Sequence, residues 1–207
     1  MEYKRIFSSQ GDTNTALSVC FSRPELLSMG VQECADELDP EYIGKTELSK
    51  LVSLWKDPLY LAQFFETNSS YFSDPFWKGV TEEVFVGDVV QNSRVVFKEL
   101  LRLLESGQLV SVFEPLDKEE DSKRRRDKVF KVKAKYGHIA KRVAFRIYGI
   151  MVDENTVCIT GGAIKIVKEM SDAPNTEIEL KKMERVASNI FDNGIFDKDS
   201  FIEFIAE

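Results

Sequence analysis

Phe130, Val132, Ala134 and Tyr136 alternate with Lys131, Lys133 and Lys135, the period-two signature of a strand with one apolar and one basic face. A second strand over 141–151 sets Val143, Phe145 and Ile147 against Arg142, Ala144, Arg146 and Tyr148. Gly137-His138 is the expected turn between them, and Asp153-Glu154-Asn155 the next. The third segment, 156–167, is β-branched and apolar, and Gly161-Gly162 predicts a bulge or bend inside it. Three strands joined by short turns predict an antiparallel meander.

Helical spacing brackets this meander. Val90, Phe97, Leu100, Leu101 and Leu104 predict a helix over about 88–106 with Gly107 as its C-terminal cap. Ile178, Met183, Val186 and Ile190 predict another over 174–190 capped by Thr176, and Asp199 heads a short terminal helix with Phe201, Ile202 and Ile205. Upstream, Pro24 suits the start of a short helix, Thr46 caps a helix carrying Leu48, Leu51, Val52 and Trp55, and Pro58 opens one with Leu59, Leu61, Ala62 and Phe65. Residues 1–80 therefore read as an acidic, aromatic-rich helical region with its own small core, and 81–207 as an α+β domain with a C-terminal helical tail. Its helices at 88–106 and 176–190 are expected to pack on the Phe130, Val132, Phe145, Ile147, Val157 and Ile159 face.

Charge changes the picture more than composition does. The chain has 207 residues with 28 Lys and Arg against 35 Asp and Glu, yet residues 123–168 hold 13 of the cations and only three of the acids. A polyanion approaching closely would meet that local field. The run 117–128 contains no apolar residue and predicts a solvated loop. Three cysteines with no Cys-x-x-Cys pair speak against a disulfide framework or a zinc site, and the apolar runs are too short for a signal peptide or a membrane span, so a cytoplasmic location is expected. The one histidine, His138, excludes schemes that need two imidazoles, and no phosphate loop, dinucleotide fingerprint or nucleophile elbow is present.

What remains is the basic face. Lys131, Lys133, Lys135, Arg142 and Arg146, with Tyr148, fall on the polar side of the first two strands, and Lys165 and Lys168 end the third. Cations fixed on a rigid sheet can stabilise the charge that develops during phosphodiester cleavage, and a tyrosine can stack on a base. A solvated sheet surface accounts for the same pattern. The two readings differ in whether the cations converge in one concave site or spread over a flat sheet.

The stretches Leu-Leu-Arg-Leu-Leu-Glu-Ser-Gly-Gln-Leu (100–109), Phe130-Lys131-Val132-Lys133, Phe145-Arg146-Ile147-Tyr148, 157–165 and the helix start at Pro174, in that order, resemble the RelE/HigB superfamily of toxins, in particular its phage-related HigB branch. The resemblance spans about 84–190. It implies a RelE-like fold of helices on an antiparallel sheet. The implied activity is metal-independent, ribosome-associated messenger RNA cleavage, with no cofactor. A small antitoxin from an adjacent gene is the implied partner, and no membrane is involved. On it Lys133 and Arg146 stand at the family's arginines of the first two sheet strands and Lys165 at the first of two lysines, while Ala163 and Ile166 replace the family's Phe and second Lys. Lys133, Lys135, Arg142 and Arg146 are the candidate catalytic residues of an endoribonuclease, and Lys131, Tyr148, Lys165 and Lys168 the candidate RNA contacts. The alternatives are a non-catalytic RNA- or protein-binding module on the same scaffold, and an unrelated α+β interaction protein.

Overall fold

A computed structural model describes residues 1–8, 15–33, 35–106, 108–124 and 129–206. Six strands, β1 (Glu2–Ser8), β2 (Thr15–Cys20), β3 (Glu114–Pro115), β4 (Phe130–Ile139), β5 (Arg142–Asp153) and β6 (Thr156–Ile164), form one mixed sheet in the order β1-β2-β6-β5-β4-β3. The meander β4-β5-β6 is antiparallel throughout, as the alternation predicts. It is not a separate small sheet. The first 20 residues, expected within a helical region, supply β1 and β2, and β2 runs parallel to β6 from Thr15 opposite Thr156 to Ser18 opposite Ile159. Helices occupy much of the interval read as helical: α1 (Arg23–Ser28), α2 (Glu47–Leu54), α3 (Pro58–Thr67) and α4 (Ser69–Phe72). The long α5 (Glu82–Glu105) precedes the meander, and α7 (Pro174–Asp192) and α8 (Lys198–Ala206) follow it.

The β4-β5 connection is tighter than the sequence suggests. Both strands run on past Gly137-His138, and the two-residue turn falls at Ala140 and Lys141, which take φ of 46° and 66°. Asp88 and Asn92 of α5 hold this turn, accepting from the Ala140 amide at 2.6 Å and donating to the His138 carbonyl at 3.0 Å. Gly137 instead makes room for a ring. At φ +60° it lies under Phe145, so close that a Cβ would stand 2.1 Å from the ring carbon Cδ2. On β6 the register shifts beside Gly161, the bulge predicted there.

The sheet is covered on both faces. Phe130, Val132, Phe145, Ile147, Val157 and Ile159 pack with Trp55, Phe85, Phe97 and Leu100 from α2–α5 and the turn that follows α2, so the aromatic helices share their core with the sheet. The helix at 174–192 covers the opposite face, where Tyr148, Ile150, Val152 and Cys158 meet Met183, Val186 and Ile190. Its expected place on the Phe145 face is thus corrected. Beyond Arg146 the nominally polar side of β5 becomes apolar at alternate positions, and only a second helical layer removes those side chains from water. Part of the apolar-free run is also helical, α6 (Lys118–Arg124), and Glu120 is buried there because its carboxylate accepts the Lys131 amide at 2.7 Å. Cap assignments shift slightly: Ala173 and Pro174 open α7, and Asp197 accepts the Ser200 amide ahead of α8. Cys34, Gly107, residues 125–128 and the side chains of Val143 and Leu104 lie outside the described residues. Among those described, no helix is long and apolar enough to cross a membrane.

Candidate functional site

Strand pairing sets Lys135 opposite Arg146, Lys133 opposite Tyr148 and Arg146 opposite Ala163, two residues before Lys165. Cations from two adjacent strands, and from the residue that follows β6, are therefore gathered toward one end of the sheet. Lys133 and Lys165 are both half-buried, and burial lowers the ammonium pKa of each. Neighbouring cations add to the effect, Lys135 and Arg146 at Lys133, and Arg146 and Lys133 at Lys165. Arg146, also half-buried, is lowered by burial, with Tyr148 and Glu114 opposing. Clustered cations raise one another's potential and favour an arriving anion.

A cavity of about 700 Å³ opens at this end of the sheet. Arg146, Lys165 and Lys168 line it together with Asp74, Asp172, Tyr71 and Phe76. Phe76 is 58% exposed, and Trp77 behind it is buried and donates from its indole nitrogen to the Ile166 carbonyl at 2.9 Å. The Arg146 guanidinium is anchored by donating to the Phe145 carbonyl at 2.8 Å. Asp74 and Asp172 accept the amides of Phe76 at 2.7 Å and Glu169 at 3.1 Å, which shapes both turns on the rim. Three of the eight residues singled out from sequence thus share one concave wall.

The other five are placed differently. Lys133 donates to the Leu116 carbonyl, and Lys135 pairs with Glu114 of β3 at 2.5 Å. Lys131 lies 3.6 Å from Glu184 of α7. Arg142 stacks its guanidinium over Phe76 and Trp77, 5.2 and 5.9 Å from the ring centroids, so it supports the aromatic wall. Tyr148 is 1% exposed under α7, and burial, with Glu179 nearby, pushes its phenol pKa up. A ring so covered offers no face to a base.

Tyr71, Asp74 and Phe76 come from the aromatic stretch read as core, and only its unusual density of rings hinted at a wall. A buried quartet escaped the sequence reading altogether. Glu47 and Lys50 of α2 and Glu179 and Lys182 of α7 are each 1–2% exposed. Lys182 bridges Glu47 at 2.8 Å and Glu179 at 2.7 Å, and Lys50 holds the other oxygen of Glu47 at 2.8 Å. The quartet packs beside Gly161, where a Cβ would stand 1.9 Å from Oε2 of Glu179. Its sequence trace is two Glu-x-x-Lys spacings 135 residues apart from Glu47 to Lys182, ordinary for exposed helix faces. No family model, curated protein or solved structure matches the chain.

Proposed function

We propose that the chain binds RNA in the cavity lined by Arg146, Lys165 and Lys168 and cleaves it in the manner of the RelE/HigB toxins. The observation that supports this is the convergence of those three cations, two of them half-buried, on a wall that also presents Phe76. The order helices, antiparallel meander, helix also agrees with the resemblance. In the reaction, the ribose 2′-oxygen attacks the adjacent phosphorus while its proton passes to a carboxylate of the wall, Asp172 or Asp74. The bond to the 5′-oxygen breaks, Lys165, held below its usual pKa, protonates that leaving oxygen, and a 2′,3′-cyclic phosphate remains. Arg146 stabilises the non-bridging oxygens.

Lys133 and Lys135 are engaged with Leu116 and Glu114, which favours a second reading, binding without cleavage. The test is messenger cleavage on ribosomes and RNA binding, each with wild type and Arg146→Ala. Loss of about 10²- to 10³-fold in cleavage rate is expected for the variant. Binding with no cleavage by wild type leaves the module reading, and no binding at all removes both.

A further inference from the structure

Phe76 stands more than half exposed on the wall of the cationic cavity, beside Trp77, which is buried. Its neighbours hold the ring in place. Pro75 opens the short turn that carries it, and the Asp74 carboxylate accepts the Phe76 amide at 2.7 Å. Trp77, anchored at the Ile166 carbonyl, meets the ring edge to face with centroids 5.0 Å apart, and the Arg142 guanidinium lies over it at 5.2 Å. A ring ordered in advance loses little further freedom when a ligand arrives. Arg146, Lys165 and Lys168 line the same cavity, and their three charges exceed those of Asp74 and Asp172, each of which accepts a backbone amide of its own rim turn. A second cavity, of about 490 Å³, shares Ser70 and Tyr71 with the first. It too is lined by rings, but by no lysine or arginine, so it offers a phosphate no counter-charge. An exposed ring and a group of cations thus meet in the first cavity only.

We propose that Phe76 is a stacking platform for a base of the strand whose phosphate rests on Arg146, Lys165 and Lys168, and that the site therefore takes unpaired RNA. Inside a duplex both faces of each base are covered by the neighbouring pairs, and only a base that has left the stack can lie on a side-chain ring. Every base has such a face, so the ring selects single strands without reading their sequence. The inference rests on the RNA reading above. It adds a substrate class and a specificity-determining residue that lies outside the stretch carrying the toxin resemblance, 84–190.

The experiment measures fluorescence polarisation of the full chain at low salt with three labelled ligands. They are a short adenosine oligomer, an abasic oligomer with the same sugar–phosphate chain and no bases, and an RNA duplex closed at both ends by non-nucleotide linkers. Wild type is expected to bind the abasic oligomer about tenfold more weakly than the adenosine oligomer, the scale of one base stacked on a ring. Phe76→Ala should weaken the adenosine oligomer by about the same factor and leave the abasic oligomer and the duplex unchanged. Its salt slope should match that of wild type, because no phosphate contact is lost. Phe76→Trp should restore the adenosine oligomer, whereas Arg146→Ala should weaken all three ligands. The abasic comparison needs no variant, so it stands if Phe76→Ala disturbs the fold. An abasic oligomer that binds like the adenosine oligomer overturns the stacking platform alone. So does a Phe76→Ala variant that loses no affinity for adenosine, or that loses as much for the duplex. Failure of every ligand to bind overturns the RNA reading and the platform with it.

Discussion

Lys182 of α7 reaches Glu47 of α2 at 2.8 Å, joining helices from the two layers that cover opposite faces of the sheet. The contact is possible because β2 pairs with β6 only as far as Ile159, which leaves the rest of β6 to be flanked by helices. With Lys50 and Glu179 the group is electrically balanced and almost wholly removed from water. Removing one member leaves a buried charge uncompensated, which costs about 3–5 kcal/mol. Lys182→Met should lower the denaturation midpoint accordingly, and the pair Lys182→Met with Glu179→Gln should recover part of the loss. Urea unfolding of both variants checks this, and an unchanged midpoint for the single variant would contradict the quartet's role.

Gly137 offers a backbone test. An alanine there must adopt φ near +60° and displace the Phe145 ring. The left-handed conformation costs about 1–2 kcal/mol and the overpacking about 1–3. Gly137→Ala should therefore destabilise the protein by roughly 2–5 kcal/mol in urea melts, whereas Gly44→Ala, with the same sign of φ but open space, should cost only the first of these.

The phenol of Tyr136 is buried without a hydrogen-bond partner among the described residues. Burial, with Glu99 adding to it, pushes its pKa up from 10.0 to about 12. The folded state keeps this proton longer than the unfolded chain does, so the contribution to stability is complete below pH 10 and is lost as pH rises toward 12. Tyr136→Phe should raise stability at neutral pH by about 1 kcal/mol, some 2–4 °C in Tm for a chain of this size. The alkaline fall should also be shallower, though not abolished, because Tyr3 and Tyr148 are raised in the same sense. Thermal melts from pH 7 to 12 measure both effects.

If Arg146, Lys165 and Lys168 each neutralise one phosphate, the logarithm of the RNA binding constant should fall with the logarithm of salt at a slope of about −2, given about −0.7 per contact for single strands. Lys168→Ala, at an exposed position, should reduce the slope by about 0.7 and leave the melting temperature within error. A slope near zero in a salt titration would rule out phosphate contacts.

Local alternation was enough to place β4 and β5, to assign Phe130, Val132, Phe145 and Ile147 to one buried face, and to put a bulge at Gly161-Gly162, because side-chain direction in a strand depends only on the residue's own parity. Helix starts at Thr46 and Pro58 were legible for a similar reason, since caps act within one turn. Strand β2 was not: Thr15–Cys20 is buried at every position and therefore shows no alternation, and its partner β6 lies 141 residues away at the Ser18–Ile159 contact. Sequence also brought six of the eight candidate side chains onto one nominal face and set Lys165 and Lys168 at the end of the third strand, whereas packing divided them, covering Tyr148 with α7, turning Arg142 onto Phe76 and Trp77, and leaving Arg146, Lys165 and Lys168 around one cavity. The second cavity and the Glu47–Lys182 bridge join segments more than a hundred residues apart. Contacts at such separations are set by how whole layers dock, and a periodicity confined to ten residues carries no record of that docking.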